Sequence, residues 1–265
     1  MARNKIEVDH GLTFRMFLVG LGLVLLYAIL GGVALRMGVG MPLVIGFGAI
    51  LLAAQYYFSG PIAMFSMRAH EVTPEEEPRL HQIIDRLCLM ADMPKPKVGI
   101  AEMDIPNAFA TGRNPKAAVV CATRGIMARL DDEQLEAVLA HELSHVAHRD
   151  VAVMTIASGV GMLAGLVSRM AMWGAMFSGG GNDRNNNSAA GEMVAWLASI
   201  VIYFIAFILT MALSRYRELS ADRSGAILIG KPSALASALV KIIDDFRKRG
   251  AELHHYTGNA YVIGL

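Results

Sequence analysis

Four long stretches without a charged residue constrain this chain more than any other feature of its sequence. They are Met16–Leu35, Met41–Phe58, Val151–Ser168 and Met193–Ser214. Each is close to the ~20 residues with which an α-helix crosses the hydrocarbon core of a bilayer. Hydrophobic residues make up 54% of the chain, which is more than a soluble domain usually contains. The sequence therefore predicts a membrane protein whose four apolar helices form two hairpins.

Two of the apolar stretches have an alternative to a simple membrane span. Arg169 directly follows the third stretch, and in a bilayer its side chain must reach the far interface, line a cavity or find a partner. A re-entrant or surface-lying helix is the alternative there. The first stretch is too long for the apolar core of a signal peptide and leads straight into the second, which indicates an uncleaved anchor.

The basic residues predict the orientation of the spans. One side of the membrane would carry Arg3, Lys5, Arg15, Arg68, Arg149, Arg215 and Arg217. On the other side, the loop after the first stretch carries only Arg36, and the loop Ser178–Glu192 holds only Arg184. Because short loops rich in lysine and arginine stay in the cytoplasm, we expect both termini and the polar region between the hairpins there. The far loop, Ser178–Glu192, is rich in glycine and asparagine and is predicted to be mobile.

The polar region is predicted to combine helices and strands. A threonine, a proline and a glutamate in Thr73–Glu76 predict the start of a helix that runs to about Met90. A second helix follows Asp131, whose side chain can cap it, and a last helix covers about Ser233–Arg249. Short strands are expected at Lys97–Ala101, Ala108–Thr111 and Ala118–Cys121.

The helix after Asp131 carries the strongest chemical motif. His141 and His145 are four residues apart, so on a helix both can direct a ring nitrogen at one metal ion. Glu142 lies beside them, where it can accept a proton from a water molecule activated by that metal. This H-E-x-x-H spacing is typical of zinc peptidases. We therefore predict that His141 and His145 bind one Zn²⁺ and that Glu142 is the catalytic base.

A catalytic zinc ion needs a third protein ligand, because its fourth position usually stays open for water. Glu218 and Asp222 are four residues apart just after the fourth apolar stretch. We expect the helix of His145 to continue into the third stretch, so that the second hairpin returns Glu218 to the histidines at the cytoplasmic membrane surface. We predict Glu218 as the ligand and Asp222 as the partner of a histidine's other ring nitrogen, with the reverse as the alternative. His148 is too far along the helix from His141 to share its metal.

Charge and cysteine content exclude other classes of function. The formal net charge is +1, so nothing indicates a nucleic-acid partner. Cys88 and Cys121 have no spacing typical of a metal site and fit small apolar positions. The predicted partners are therefore peptide or protein substrates and the lipid bilayer.

Three motifs together resemble the HtpX family of membrane zinc metalloproteases, which are relatives of the CAAX prenyl endopeptidases. The motifs are His141–His145, Arg217–Asp222 and Asn107–Gly112. The resemblance covers nearly the whole chain, including four apolar segments in the same order. It implies an endopeptidase of the bacterial inner membrane that faces the cytoplasm and degrades misfolded or damaged membrane proteins. It also implies the same roles for the two histidines, Glu142, Glu218 and Asp222.

The resemblance also implies a substrate-binding edge strand. By match, that strand consists of Asn107, Ala108, Phe109, Ala110 and Thr111. The family's His-Pro-Pro element is missing from the sequence, which ends at Leu265, so Arg215 and Tyr216 are candidates for the group that stabilises the oxyanion. Two alternatives stay open, a processing endopeptidase for prenylated proteins and a non-catalytic metal-binding membrane scaffold or holdase. Intact Glu142 argues against the second, since a structural zinc site needs no base.

The predicted fold is thus a mainly helical membrane protein with a cytoplasmic α+β, zincin-like catalytic domain. Residues 1–67 would form the N-terminal membrane hairpin, and residues 68–150 the catalytic domain with its motif helix. Residues 151–214 would form the second membrane hairpin. Residues 215–265 would carry the third ligand and complete the catalytic domain.

Overall fold

Helices dominate the part of the chain that the structure describes. This computed structural model describes residues 10–36, 41–177 and 186–249, and the predictions for residues 178–185 and for both ends of the chain lie outside them. The α-helices are α1 (His10–Arg36), α2 (Met41–Ser66), α3 (Pro78–Ala91), α4 (Arg124–Arg129), α5 (Asp132–Ala147), α6 (Asp150–Phe177), α7 (Asn186–Ile229) and α8 (Pro232–Arg249). The strands are β1 (Ala69–Glu71), β2 (Lys97–Ala101), β3 (Ala108–Thr111) and β4 (Val119–Thr123), with a 3₁₀ turn at Pro115–Ala117.

Several helices are long and apolar enough to cross a membrane. Three pass this test alone, over Gly11–Gly32, Gly48–Ser66 and Trp196–Ile229. Helices α5 and α6 pass it only as a pair, bent by 64° at their junction. The described residues therefore contain three candidate spans, or four if the bent pair is one span. The predicted mainly helical fold with apolar helices long enough to span a membrane is confirmed, and the described residues also contain a small mixed sheet.

The described chain divides into two units that alternate along the sequence. The helical unit consists of His10–Tyr56 and Val153–Tyr216, and the sheet unit consists of Tyr57–Ala152 with the residues from Arg217 onward. Helix α7 belongs to both. It has 44 residues and is thus about 66 Å long, roughly twice the thickness of a bilayer's hydrocarbon core. The part of α7 from Arg217 onward belongs to the sheet unit.

Apolar side chains and a few polar contacts hold the helical unit together. The Tyr27 hydroxyl donates a hydrogen bond to the Ile156 carbonyl at 2.8 Å, and the Gln55 amide donates one to the Ser158 hydroxyl at 2.9 Å. Such bonds join helices where lipid offers no competing water. The buried residues of its core are Leu23, Leu26, Leu30, Ala157, Val160, Ala164, Ile202, Ala206 and Leu213.

The sheet unit contains a four-stranded sheet with the order β1-β2-β4-β3. Strands β2 and β4 are parallel, whereas β1 and β3 pair antiparallel with β2 and β4 respectively. Helices α3, α5 and α8 contribute to one core with the sheet. Its largest fully buried side chains include Leu80, Ile84, Leu87, Ile100, Val120, Leu135, Leu139 and Leu143. Strand β3 is an edge strand, and α5 lies against it.

The first predicted helix of the polar region begins later than expected. Thr73 and Glu76 do exchange the expected hydrogen bonds, from the Thr73 N–H to Oε2 at 2.7 Å and from the Glu76 N–H to Oγ1 at 3.4 Å. They close only a turn, and α3 starts at Pro78. A proline disfavours helical geometry in the residue before it, and Glu77 is accordingly not helical, with φ −132° and ψ 67°. The predicted start at Thr73 is therefore wrong.

The predicted continuous helix from His145 into the third apolar stretch is also wrong. Helix α5 ends at Ala147 and α6 begins at Asp150, after Arg149 adopts a left-handed conformation with φ 56°. A single left-handed residue ends the α-helical path. The axis consequently turns by 64° between the two helices.

Candidate metal centre

Helix α5 holds the H-E-x-x-H motif and is built from strong local signals. The Asp131 side chain accepts a hydrogen bond from the Gln134 N–H, and the Gln134 side chain accepts one from the Asp131 N–H. This reciprocal pair satisfies two of the amides that a helix leaves open at its start. The apolar positions Leu135, Val138, Leu139 and Leu143 are all buried. The helix is therefore fixed in the core, and its motif face is fixed with it.

Two imidazoles and one carboxylate from α5 and α7 converge at this face. The Nε2 atoms of His141 and His145 are 3.2 Å apart. Glu218 Oε2 lies 3.5 Å from the first and 3.6 Å from the second. Among the described residues, these three form the one group able to offer three ligand atoms to a metal ion. Sequence reasoning had nominated the same three residues.

The spacing and chemistry of this group fit a zinc ion. Tetrahedral zinc with bonds of about 2.0–2.1 Å to nitrogen and oxygen holds its ligand atoms about 3.3 Å apart. The three observed separations lie close to that value. Two neutral imidazole lone pairs that face each other at 3.2 Å would repel, so the pair requires a proton or a metal cation. Two nitrogens and one oxygen are a donor set typical of catalytic zinc sites.

The outer ring nitrogens of the two histidines also face carboxylates. His145 Nδ1 donates to Asp150 Oδ2 at 2.6 Å, and His141 Nδ1 lies 2.8 Å from Asp222 Oδ1. A carboxylate at Nδ1 keeps the proton there and turns the Nε2 lone pair toward the metal position. The His145 ring is oriented in this way, whereas His141 Nδ1 lies close to Asp222 without forming a well-aligned hydrogen bond. Asp222 lies where sequence reasoning expected it, whereas Asp150 was not anticipated.

The glutamate of the motif is buried between α5 and the edge strand. Glu142 is only 7% exposed, and its Oε2 accepts a hydrogen bond from the Ala110 N–H at 3.0 Å. Burial raises the pKa of Glu142 above its ordinary value, while His141, His145 and this amide act in the opposite direction. The carboxylate is thus held at a defined point beside β3 and binds a proton more firmly than an exposed glutamate does.

The carboxylates around the histidines make the site favourable for positive charge. Burial lowers the pKa of His141, but Asp222, Glu218 and Glu142 outweigh it and raise that pKa to about 10. Burial likewise opposes the charged form of His145, and Asp150, Glu218 and Glu142 raise its pKa to about 9. Opposite charges at short range favour the cationic form of a group. The same field favours a bound metal cation.

A close contact between α5 and α7 allows Glu218 and Asp222 to reach the histidines. A β-carbon placed on Gly225 would lie 3.0 Å from the backbone nitrogen of His141 and 3.2 Å from its Cα. Because these distances are shorter than most contacts of a β-carbon, a side chain here would push α7 and α5 apart by a few tenths of an ångström. Gly225 lies in the turn of α7 that follows Asp222. It therefore contributes to the site without contacting the ligand atoms.

The remaining nominated residues occupy other places. Asn107 is buried, its N–H bonds the Thr123 hydroxyl at 3.0 Å, and its side-chain oxygen has no hydrogen-bond partner among the described residues. His148 Nε2 lies 3.4 Å from the Ser224 hydroxyl and takes no part in the group of three ligands.

Arg215 is exposed and Tyr216 half-buried, and both belong to the helical unit. The role suggested for Arg215 stays a prediction.

Sequence reasoning missed Asp150 and the residue that pairs with it. Arg217 Nη2 lies 2.9 Å from Asp150 Oδ2, and both side chains are buried. The sequence identifies Arg217 as a basic residue that flanks a membrane span and as part of the motif Arg217–Asp222, but not as a partner of Asp150. An acid directly after the dipeptide His148–Arg149 was the available signal. Its meaning depends on the helix break, which the sequence does not reveal.

A family model and several curated proteins match most of this chain. Residues 74–261 match peptidase family M48. Protease HtpX homolog 1 of Streptomyces coelicolor is 48% identical over 246 residues, which are 93% of this chain and 80% of that protein. Protease HtpX homolog of Moorella thermoacetica is 48% identical over 91% of this chain and 80% of its own length. Protease HtpX homolog 2 of Methanosarcina mazei is 42% identical over 93% and 85%.

A solved structure is also similar. The crystal structure of S. mikatae Ste24p matches with a TM-score of 0.47 and 14% sequence identity, over 88% of this chain and 59% of that one. The family match alone covers well over half of the chain, and the HtpX homologues extend the similarity through the apolar helices. The resemblance seen in the three motifs is thereby confirmed. The chain belongs to peptidase family M48, among the HtpX-like membrane metalloproteases.

Proposed function

We propose that this chain is a zinc-dependent endopeptidase of the bacterial cytoplasmic (inner) membrane. It would cleave misfolded or damaged membrane proteins on the cytoplasmic side, where the active site and both termini would lie. The convergence of His141, His145 and Glu218 on one point, with Glu142 beside it, is the observation that carries the proposal. The similarity to proteins named protease HtpX homolog supports the reaction class.

The chain's own residues would provide the acid–base chemistry. Zinc held by His141, His145 and Glu218 would supply a Lewis acid for the scissile carbonyl and would acidify the attacking water. Glu142 would accept the proton of that water and deliver it to the departing amine. Burial raises the pKa of Glu142, which makes its carboxylate a stronger proton acceptor than that of an exposed glutamate. The Ala110 N–H would hold the carboxylate in place throughout.

The edge strand offers a way to bind many different peptides. The Asn107 carbonyl accepts a hydrogen bond from the Thr123 N–H, so the backbones of Asn107, Phe109 and Thr111 face β4. The backbones of Ala108 and Ala110 then face away from the sheet, on the side where Ala110 meets Glu142. A peptide added as a further strand would bond main-chain groups with little regard to its sequence. This mode of binding suits unfolded clients.

Cleavage of an unfolded reporter by the purified chain in detergent tests the proposal. Glu142→Gln should lower the rate by about 10²–10⁴-fold, because the amide keeps the size of the side chain but cannot accept the proton. Glu133→Gln is the matched control, since Glu133 is on the same helix in an exposed ion pair with Lys231. It should cleave like the wild type. The same reporter in its folded form should be cleaved far more slowly.

Metal removal gives the second arm of this test. A chelator should abolish cleavage, and added zinc should restore it in the wild type and in Glu133→Gln. Glu142→Gln should bind zinc normally and stay inactive. Near wild-type cleavage by Glu142→Gln would remove Glu142 from its proposed role. Zinc binding without cleavage of any reporter by the wild type would favour a non-catalytic scaffold instead.

A further inference from the structure

We infer that Asp150 is the positioning residue for the ligand His145, and that Arg217 holds Asp150 in place. The inference rests on the proposed metal site, which it deepens. His145 Nδ1 donates to Asp150 Oδ2 at 2.6 Å, and Arg217 Nη2 donates to the same oxygen at 2.9 Å. One carboxylate oxygen therefore links the imidazole of a metal ligand to a guanidinium on α7.

Burial makes this link strong. Asp150 is 3% exposed and Arg217 is 8% exposed. A buried carboxylate stays ionised only when it is paired and hydrogen-bonded, and Arg217 provides that pairing. An ionised Asp150 is a strong acceptor for the Nδ1–H of His145, which fixes the tautomer and directs the Nε2 lone pair toward Glu218 and His141. Arg217 thus acts on the metal position through two other residues.

The break between α5 and α6 places Asp150 next to His145. On an uninterrupted helix, Asp150 would point about 140° away from His145, because five residues correspond to ~1.4 turns. The left-handed conformation of Arg149 and the 64° turn of the axis bring Asp150 back to the imidazole. The first residue of α6 thereby becomes part of the metal centre.

The link also joins the two helices that provide metal ligands. Arg217 directly precedes Glu218 on α7. The same turn of α7 therefore supplies a ligand and the partner of Asp150. A shift of this turn would disturb Glu218 directly and His145 through Asp150. The two ligands are consequently coupled through the charged side chains of Asp150 and Arg217.

The two histidines are not equally supported. His141 faces Asp222, whose side chain is 50% exposed and which can exchange its contact for water. His145 faces Asp150, which is buried and bound from two sides. Water can replace an exposed partner at little loss, whereas a buried one leaves an unpaired group behind. We therefore expect Asp150 to matter more to zinc affinity than Asp222.

Zinc affinity of the full chain in detergent, measured by competition with a chromophoric chelator, tests the inference. Asp150→Asn and Arg217→Gln should each raise the dissociation constant of zinc about 10–100-fold. The double variant should lose little more than the weaker-binding single variant, because both substitutions interrupt the same chain of contacts. Additive losses in the double variant would overturn the coupling through Arg217.

A spectroscopic signature distinguishes positioning from a general loss of stability. With Co²⁺ in place of zinc, the visible absorption bands of Asp150→Asn should change in position or intensity, because the orientation of a ligand changes. Asp245→Asn is the control, since Asp245 pairs with Arg129 at 2.8 Å in the same unit and away from the histidines. It should lower thermal stability while leaving zinc affinity and the cobalt spectrum unchanged.

The outcomes separate this inference from the proposed function. A wild type that binds neither zinc nor cobalt would overturn the metal site and the inference with it. A wild type that binds both, with wild-type affinity and spectrum in Asp150→Asn, would overturn the inference alone. If Asp150→Asn does not fold, Arg217→Gln carries the test, and an unchanged dissociation constant for it would overturn the inference.

Discussion

Glu218 and Asp222 are four residues apart on one helix, yet the structure gives them different partners. Glu218 Oε2 faces both Nε2 atoms, at 3.5 and 3.6 Å. Asp222 instead faces the opposite nitrogen of His141, at 2.8 Å. The two carboxylates therefore lie on different sides of an imidazole ring. Glu218 faces the metal position, whereas Asp222 contacts only the outer nitrogen of His141.

The zinc content of two alanine variants should distinguish the metal ligand Glu218 from Asp222, the partner of His141. Glu218→Ala removes a direct ligand, so the purified variant should retain little zinc even at micromolar supply. Asp222→Ala removes only a partner of His141 and should fill when zinc is abundant, with zinc affinity lowered less than in Asp150→Asn, near the lower end of about 10–100-fold. Metal analysis at matched free zinc checks both. An empty Asp222→Ala beside a full Glu218→Ala would reverse the assignment.

At the scale of elements, the position of α7 against α5 depends on one small residue. The atoms that a β-carbon on Gly225 would meet belong to the backbones of His141 and Ala140. A backbone inside a packed helix pair cannot rotate away as a side chain does. Any larger residue must therefore move α7, and Glu218 and Asp222 would move with it.

Gly225→Ala should accordingly weaken both stability and zinc binding. Overpacking of this kind lowers the free energy of unfolding by about 1–3 kcal/mol, against a gain of about 1 kcal/mol from the better helix propensity of alanine. Gly20→Ala is the matched control, because a β-carbon on Gly20 of α1 would meet no atom within 4 Å. Thermal melts and zinc titrations of both variants check this. Wild-type zinc affinity in Gly225→Ala would contradict the requirement for close approach.

The elements also show which parts of the site could be predicted from sequence. His141, Glu142 and His145 lie on one helix with clear capping and an apolar face, so spacing alone predicted their arrangement. Strands β2 and β3 formed at the predicted residues. Asp150 escaped prediction because its contact depends on the left-handed Arg149, and neither glycine nor proline marks that break. The start of α3 was misplaced because local hydrogen bonds at Thr73 and the conformational effect of Pro78 compete.

At the scale of the whole molecule, the arginine distribution predicts which ends face the cytoplasm. Single cysteines in intact cells test this orientation. Cysteine at position 188 should react with an impermeant reagent, and cysteine at position 265 should react only after permeabilisation. The native Cys88 and Cys121 are buried, and burial raises their pKa values to about 11 and 12, so background labelling should be low. Labelling of position 265 in intact cells would refute the orientation.

X-ray absorption at the zinc edge of the purified, active chain tests the central claim most directly. The account predicts one zinc per chain with nitrogen and oxygen ligands at about 2.0–2.1 Å, and imidazole scattering from two rings. Glu142→Gln should give the same spectrum, whereas Glu218→Ala should lose most of the metal. Zinc–sulfur distances of about 2.3 Å would contradict the account, because they would place the metal on cysteine. Full cleavage activity in a preparation without metal would contradict it as well.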